Sequence, residues 1–259
     1  MSGAGGMFDL SGRVALVTGG NGGIGLGLAR GLARCGASVM VAGRDANKNA
    51  AAVAELSALG AAKADSVVAD VTDEAAVGAM VDETASRLGG LDILVNNAGT
   101  NIRRRPEEQR LEDWRTVIDT NLTSAMLASR AAHPHLKRGG RGRVINNGSM
   151  LSIFGLPFHI AYAASKGGVL QFTKSLAVAW AADGITVNAI LPGWIDTDLT
   201  RKARADMAGL NDNVLARTPA KRWGDPRDFE GIAAFLASDA SAFVTGTAIP
   251  VDGGFSVQG

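Results

Sequence analysis

The sequence is poor in the residues that form covalent or metal cross-links. Its 259 residues include one cysteine, Cys35, and three histidines. A single cysteine excludes an intrachain disulfide, and its place in an apolar helical pattern favours a buried, unreactive thiol. His133, His135 and His159 do not form a convincing ligand cluster. The sequence therefore predicts no metal site, and a reducing compartment, which we expect to be the cytoplasm.

The chain also lacks a strong net charge and a long apolar run. Its formal net charge is +1, so neither nucleic acid nor a membrane is expected as a partner. No apolar run approaches the ~20 residues needed to span a bilayer. Hydrophobic residues make up 46% of the chain and charged residues 20%, which suits a globular protein that binds small molecules. Residues 1–9 are predicted to be a flexible N-terminus without a signal peptide.

Short apolar runs alternate with helical patterns along the rest of the chain. Predicted strands cover residues 13–18, 38–42, 66–69, 91–95, 143–145, 185–190 and 247–251. Predicted helical patterns cover residues 26–34, 46–59, 74–88, 111–136, 161–182 and 226–236. This alternation predicts a single α/β domain over residues 1–259, with a doubly wound parallel sheet and helices on both faces. Residues 195–222 are predicted to form a short helical pair that acts as a substrate lid.

A glycine cluster separates the first predicted strand from the first helix. It reads Gly19-Gly20-Asn21-Gly22-Gly23-Ile24-Gly25 and lies within a strand–turn–helix–strand unit of about thirty residues. Glycines let the backbone turn tightly and let a pyrophosphate approach, while the helix N-terminus offers free N–H groups. The cluster therefore predicts a dinucleotide site.

Tyr162 and Lys166 are four residues apart in a predicted helix and so share one face. A nearby ammonium favours the ionised form of a phenol, which would make Tyr162 a usable acid and base. Ser149, which follows an apolar run, could hydrogen-bond the same substrate oxygen from the other side. These residues predict a proton-transfer site.

Seven motifs stand in one order: the Thr18–Gly25 loop, Asp70-Val71, Asn96-Asn97-Ala98-Gly99, Asn121, Ser149, Tyr162-x-x-x-Lys166 and Pro192-Gly193. With them, residues 10–255 resemble the short-chain dehydrogenase/reductase family. The resemblance implies a Rossmann-like sheet of seven parallel strands and an NAD(P)-dependent oxidoreductase acting on CH–OH groups. Hydride would move on the cofactor, so no metal is required.

The resemblance also implies a role for each catalytic residue. Tyr162 would be the acid–base, and Lys166 would lower its pKa and hold the nicotinamide ribose. Ser149 would orient and polarise the substrate oxygen. Asn121 would bind a water that connects Lys166 to solvent.

The implied cofactor residues lie along the predicted dinucleotide site. Asp70 and Val71 would contact the adenine, while Asn97, which could instead serve to tie strands together, would lie along the adenosine with Gly99. The full set is Gly19, Asn21, Gly23, Ile24, Gly25, Arg44, Asp70, Val71, Asn97, Ala98, Gly99, Tyr162, Lys166, Pro192, Gly193, Ile195 and Thr197.

The residues after the second predicted strand bear on the choice of cofactor. Gly43 stands where relatives that prefer NAD usually carry an acidic residue, and Arg44 could pair with a 2′-phosphate. Asp45 is adjacent, and Gly22 stands where many NADP-preferring relatives carry a basic residue. On balance the sequence favours NADP(H) over NAD(H).

Three consecutive arginines, Arg103–Arg105, follow the fourth predicted strand at the expected binding edge. They are either a solvated basic loop or include one arginine that holds a substrate carboxylate. With Gly148–Ser152 and Arg222–Gly224, this region resembles the sugar-acid branch of the family, which includes gluconate 5-dehydrogenases and 2-dehydro-3-deoxy-D-gluconate 5-dehydrogenases. A sugar acid or polyol is therefore the expected substrate. The candidate substrate residues are Arg104, Ser149, Met150, His159 and Trp194.

Two other functions compete with this expectation. A 3-oxoacyl carrier-protein reductase, or another ketone reductase, has a similar pattern, and its basic surface would dock an acidic carrier protein. A dinucleotide sensor without activity is disfavoured, because Asn121, Ser149, Tyr162 and Lys166 are all present. Relatives are usually tetramers, so a homotetramer is expected.

Overall fold

The computed structural model describes residues 6–258, and the predicted flexible N-terminus falls partly outside them. The described residues form seven strands: β1 (Val14–Thr18), β2 (Ser38–Gly43), β3 (Ala64–Val68), β4 (Ile93–Asn96), β5 (Arg143–Asn147), β6 (Thr186–Pro192) and β7 (Ala248–Val251). The α-helices are α1 (Gly23–Arg34), α2 (Ala46–Ala58), α3 (Glu74–Leu88), α4 (Leu111–Ile118), α5 (Ser124–Arg138), α6 (Ile160–Trp180), α7 (Asp198–Asp206), α8 (Leu210–Arg217) and α9 (Glu230–Ala237).

All seven strands form one parallel sheet in the order β3-β2-β1-β4-β5-β6-β7. The chain reverses its direction of winding between β1 and β4, which are neighbours. In an open parallel sheet, ligands bind at the carboxyl ends of the strands near such a reversal. The predicted fold class is confirmed, and the expected binding edge lies where β1 and β4 end.

Helices cover both faces of the sheet because its strands are buried on both sides. Along β1, Ala15 and Val17 face a core that includes residues of α1, α2 and α9. Leu16, between them, faces a second core built with α3, α5 and α6. Such alternation between two apolar cores explains why β1 reads as an apolar run.

Local signals set several helix ends. Asp45 caps α2 by accepting from the backbone N–H groups of Asn47 and Lys48, and Asp73 caps α3 in the same way. Gly89 ends α3 in a left-handed conformation with φ 91°. Within residues 6–258, no helix is long and apolar enough to cross a membrane.

The structure departs from the amphipathic pattern at residues 111–136. This segment is not one α-helix, because a π-helical turn at Asp119–Thr123 separates α4 from α5. A π turn adds one residue to the helix and is frequent at functional sites. The predicted helical pair at residues 195–222 is present as α7 and α8, while its action as a lid stays a prediction.

Candidate active site

A cleft of about 1340 Å³ opens at the carboxyl ends of β1 to β5. The glycine loop after β1 forms its floor, and the ends of β2, β3 and β4 form one wall. The N-terminal part of α7 and one face of α4 border it as well. Fourteen of the predicted cofactor residues line this cleft: Gly19, Asn21, Gly23, Ile24, Gly25, Arg44, Asp70, Val71, Asn97, Ala98, Gly99, Tyr162, Lys166 and Thr197.

The glycine loop is shaped by positions that no side chain could occupy. Gly19 and Gly23 adopt φ values of 63° and 49°, which favour glycine. A Cβ on Gly25 would lie 2.2 Å from the carbonyl oxygen of Gly19 and 2.3 Å from Nδ2 of Asn97. The loop therefore packs closely on its neighbours, and α1 begins beside it with a free N-terminus. A pyrophosphate fits this arrangement of backbone and helix dipole.

Asn97 fastens the glycine loop to the ends of β4 and β5. Its Nδ2 donates to the carbonyl oxygens of Thr18, at 3.0 Å, and Gly19, at 3.1 Å. Its Oδ1 accepts from Nδ2 of Asn147 at 2.8 Å. The hydroxyl oxygen of Thr18 also accepts from the backbone N–H groups of Asn97 and Ala98. Asn97 thus ties strands together besides lining the cleft.

Lys166 and Tyr162 project from α6 into the inner end of the cleft. Nζ of Lys166 donates to the carbonyl oxygen of Asn147 at 2.6 Å and lies 5.7 Å from the centre of the Tyr162 ring. Burial lowers the pKa of Lys166 from 10.5 to about 8. Burial also raises the pKa of Tyr162, which a hydrogen bond with Ser149 partly offsets. In this structure burial therefore raises the pKa of Tyr162, and the lowering by Lys166 stays a prediction.

Ser149 begins a single 3₁₀ turn directly after β5. Its Oγ accepts from the backbone N–H of Leu151 at 3.1 Å, and its own N–H donates to Oγ of Ser152. Oγ of Ser152 in turn donates to the carbonyl oxygen of Lys166 at 2.8 Å. Ser152, which the sequence analysis missed, thus links the Ser149 turn to the helix that carries Tyr162.

Asn121 lies in the π turn and is 3% exposed. Its Nδ2 donates to the carbonyl oxygen of Thr100 at 3.0 Å and to Oγ of Ser165 at 2.9 Å. Its Oδ1 accepts from the N–H of Thr100 at 2.7 Å. A Cβ on Gly99 would lie 3.3 Å from this Oδ1 and 3.7 Å from Nζ of Lys166. Asn121 Oδ1 and Lys166 Nζ therefore both lie close to Gly99, although Asn121 does not line the cleft.

Comparison with known proteins identifies the family over nearly the whole chain. Residues 19–256 match the family model described as enoyl-(acyl carrier protein) reductase. The chain is 41% identical to gluconate 5-dehydrogenase of Gluconobacter oxydans, over 97% of this chain and 98% of that protein. The chain belongs to the short-chain dehydrogenase/reductase family. It is also 40% identical to 2-dehydro-3-deoxy-D-gluconate 5-dehydrogenase of Formosa agariphila, over 96% of this chain and 94% of that protein.

A solved structure of the family confirms the fold. Gluconate 5-dehydrogenase of Burkholderia cenocepacia, in complex with NADP and tartrate, superposes with a TM-score of 0.92 at 41% identity. The match covers 98% of this chain and 99% of that one. Like its relatives, this short-chain dehydrogenase/reductase is an NAD(P)-dependent oxidoreductase that acts on CH–OH groups and small-molecule substrates.

The three consecutive arginines of this dehydrogenase, Arg103–Arg105, differ in their ion pairs. Nε of Arg104 donates to Asp113 at 3.0 Å, and Nε of Arg105 donates to Glu107 at 2.7 Å. Arg103 has no carboxylate partner among residues 6–258. Arg103 lies close enough to His159 for its charge to act on that side chain. The pKa of the His159 imidazole is lowered by burial and, to a smaller extent, by the charge of Arg103.

His159 connects the arginine cluster to the tyrosine. One of its ring nitrogens lies 2.9 Å from Nδ2 of Asn101, and its ring meets that of Tyr162 edge-on at 6.5 Å between centroids. His159 is 9% exposed and directly precedes α6, the helix that carries Tyr162 and Lys166. His133 and His135 lie elsewhere, against Asp183 and Asp82. No group of three or more His, Cys, Asp or Glu in the described part of the chain could hold a metal ion.

The remaining predicted residues of the dehydrogenase lie around the cleft, outside its lining. Pro192 ends β6, and a Cβ on Gly193 would contact Asp252 at 2.8 Å. Ile195 is 3% exposed and forms an isolated bridge with Gly224. Met150 is 4% exposed, and Trp194 packs edge-on against Trp223 at 5.7 Å in the small core of α7 and α8.

One wall of the cleft escaped the sequence analysis. It is formed mainly by residues on or beside α4: Arg110, Leu111, Glu112, Arg115, Thr116, Asp119 and Thr120. The 61% exposure of Leu111 marks a helix face that is not packed against the protein. Asp198 of α7, which also lines the cleft, lies 3.6 Å from Nζ of Lys48 in α2. Helical periodicity could not show this wall, because it depends on how α4 sits relative to β3.

Proposed function

We propose that this dehydrogenase interconverts a secondary hydroxyl and a ketone on a sugar acid. Its full-length identity of about 41% to a gluconate 5-dehydrogenase supports this substrate class. The structural observation that carries the proposal is Arg103, a guanidinium without a carboxylate partner in residues 6–258, next to His159 and hence near Tyr162. A substrate carboxylate would supply the missing partner and orient the hydroxyl toward the tyrosine.

In the proposed reaction the protein residues manage the proton. Tyr162 gives its phenolic proton to the carbonyl oxygen in reduction and removes one from the hydroxyl in oxidation. Ser149, which lowers the pKa of Tyr162, orients the same oxygen. When bound, the nicotinamide cofactor supplies or accepts the hydride. Lys166 and the residues of the glycine loop hold this cofactor.

A proton relay through Asn121 is more constrained than the family resemblance implies. Both N–H groups of its amide are used, by Thr100 and Ser165, and Oδ1 already accepts one hydrogen bond. An amide oxygen has two lone pairs, so one site on the side chain stays open to a water. We propose that a relay water binds there, on the side of Gly99 and Lys166.

The arginine proposal is tested by steady-state kinetics on gluconate and 2-dehydro-3-deoxy-D-gluconate. Arg103→Ala should raise KM by about tenfold or more with a smaller change in kcat, because a charged hydrogen bond contributes about 1.5–3 kcal/mol. Arg105→Ala is the matched control, since Arg105 is exposed and paired with Glu107. A larger KM increase in Arg104→Ala than in Arg103→Ala would return the role to Arg104.

A carrier-protein substrate is the competing function, because the matched family model is described by an acyl-carrier-protein enzyme. An acetoacetyl thioester, assayed beside keto-sugar acids with both cofactors, separates the two. Efficient reduction of the thioester, with no turnover of sugar acids, would overturn the sugar-acid proposal. The reaction class would stand.

We propose that the enzyme prefers NADP(H). Arg44 lines the cleft without a carboxylate ion pair in the described residues, while the carboxylate of Asp45 is occupied by capping α2. The pKa of Asp70 is lowered chiefly by hydrogen bonds from Thr72 and also by the charge of Arg44, so Arg44 lies near the predicted adenine site. A 2′-phosphate would give this guanidinium a strong partner.

The cofactor preference is measured by fluorescence titration with NADH and NADPH. Wild-type protein should bind NADPH more tightly, and Arg44→Ala should remove most of the difference. Arg105→Ala should keep it. Equal or tighter binding of NADH by the wild-type protein would refute the preference.

We further propose a cytoplasmic homotetramer. Large apolar side chains stay exposed on helices expected at its interfaces, among them Val178 of α6 at 84% and Met126 of α5 at 37% exposure. Light scattering after gel filtration gives the mass, and Val178→Asp should shift it toward smaller species. A monomeric wild-type protein would refute the assembly.

A further inference from the structure

Two asparagine side chains close the space at the end of β2. Asn49, which is 1% exposed in α2, donates from Nδ2 to the carbonyl oxygens of Gly43, at 2.9 Å, and Val67, at 3.2 Å. Its Oδ1 accepts from Nδ2 of Asn21 in the glycine loop at 2.7 Å. Asn49 is thereby fixed to β2 and β3, and it holds the side chain of Asn21 in turn.

This network occupies the space into which a side chain at position 43 would point. A Cβ on Gly43 would lie 2.4 Å from Nδ2 of Asn21 and 2.9 Å from Oδ1 of Asn49. The end of an asparagine side chain can usually swing away from such a contact. Here the movement would break the Asn21–Asn49 hydrogen bond and leave the buried Oδ1 of Asn49 without a partner. Any residue other than glycine at position 43 therefore disturbs the glycine loop.

We propose that Asn49 is a positioning residue that determines cofactor specificity. By fixing Asn21 above Gly43, it excludes from the end of β2 the acidic side chain that would accept from the ribose hydroxyls of NAD(H) and repel a 2′-phosphate. Arg44 is then the first side chain after β2 that can meet the 2′-group. The link to selectivity rests on the proposed preference for NADP(H), whereas the steric exclusion rests on the distances alone.

The proposal predicts that the effect of Gly43→Asp on cofactor affinity depends on whether Asn49 is present. Titration with NADH and NADPH measures this dependence. Gly43→Asp alone should weaken both cofactors by about tenfold or more, since the loop must shift and at least one buried hydrogen bond is lost. In Gly43→Asp with Asn49→Ala, the side chain of Asn21 is free to move. NADH should then bind about tenfold more tightly than to Gly43→Asp alone, while NADPH stays weak. The coupling energy between the two substitutions is the interaction term of the double-mutant cycle.

Gly43→Ala isolates the steric part, because it adds the Cβ without a charge. It should weaken both cofactors to a similar degree, and Asn49→Ala should restore part of the loss for both. Gly78→Ala in α3 is the matched control, since a Cβ there meets nothing within 4 Å and should leave both affinities unchanged. Thermal melting of every variant separates loss of binding from loss of folding. If Gly43→Asp melts below the assay temperature, the Gly43→Ala pair decides the test.

Three outcomes would count against these ideas, and they are distinguishable. Tighter NADH binding by Gly43→Asp alone than by the wild-type protein would overturn the steric exclusion. A folded double variant that does not regain NADH affinity would overturn the role of Asn49. Wild-type protein that binds both cofactors equally would refute the NADP(H) preference, while the Gly43→Ala pair would still judge the exclusion.

Discussion

Replacing Lys166 with methionine should stabilise the protein at neutral pH, although Lys166 belongs to the active site. The side chain is buried, with 4% of the residue exposed, and burial lowers its pKa from 10.5 to about 8. At about 1.4 kcal/mol for each tenfold change in proton affinity, this lowering amounts to about 3 kcal/mol. Methionine keeps the apolar stem without the charge. Leaving the Asn147 carbonyl without its donor would take back about 1 kcal/mol.

The pH dependence of this gain distinguishes it from a packing effect. The folded pKa lies below the unfolded one, so between pH 8 and 10.5 the unfolded chain binds more protons. Wild-type stability contributed by Lys166 therefore rises across that window, and the full cost of the buried charge applies below pH 8. The advantage of Lys166→Met should be greatest below pH 8 and disappear near pH 10.5.

Urea unfolding of Lys166→Met and wild-type protein at pH 7, 8, 9 and 10 measures the difference. Lys63→Met, at an exposed position, is the control for replacing a lysine in general and should show no such trend. The reasoning fails if Lys166→Met is less stable than wild type at pH 7. It fails equally if its advantage does not shrink as the pH rises.

Further predictions concern the reaction and the loop. Tyr162→Phe should abolish turnover while NADPH binding, measured by fluorescence, persists; lost binding would contradict the proposed division of roles. Because burial raises the pKa of Tyr162, kcat/KM for oxidation should climb with pH, and that for reduction should fall at alkaline pH. The apparent pKa belongs to the Tyr162–Lys166 pair, and a flat oxidative profile from pH 7 to 10 would refute the assignment. Gly25→Ala should lower dinucleotide affinity at least tenfold, since its Cβ would overlap the Gly19 carbonyl; unchanged affinity would show that the loop adapts.

The sheet could be predicted from the sequence because its signals are local. Each strand contains or overlaps a short apolar run, and the helix between two strands has its own period, so the order of elements follows from reading along the chain. Because crossover connections between parallel strands are almost always right-handed, this order of elements allows few sheet topologies. The glycine loop was recognisable for the same reason, since a strand and a helix flank it within about thirty residues.

The contacts between side chains could not be read in the same way. The sequence predicts that Asn97 lies along the adenosine or ties strands together. In the structure it lines the cleft and also accepts a hydrogen bond from Asn147, fifty positions away. The sequence predicts Arg104 as a substrate residue, yet its ion pair with Asp113 leaves Arg103 as the arginine without a carboxylate partner in residues 6–258. Both outcomes depend on register and helix placement, which set distances between residues far apart in sequence.

The π turn at Asp119–Thr123 illustrates the limit most clearly. Its insertion adds one residue to the turn, and without it every later residue would rotate by about 100° around the helix axis. Periodicity does not reveal this, because the segments on either side are amphipathic. Tertiary contacts stabilise the π turn: the three side-chain hydrogen bonds of Asn121 join it to Thr100 and Ser165, which are 21 and 44 positions away in the sequence. The placement of Asn121 next to Gly99 and Lys166 is therefore set by polar partners that are distant in the sequence.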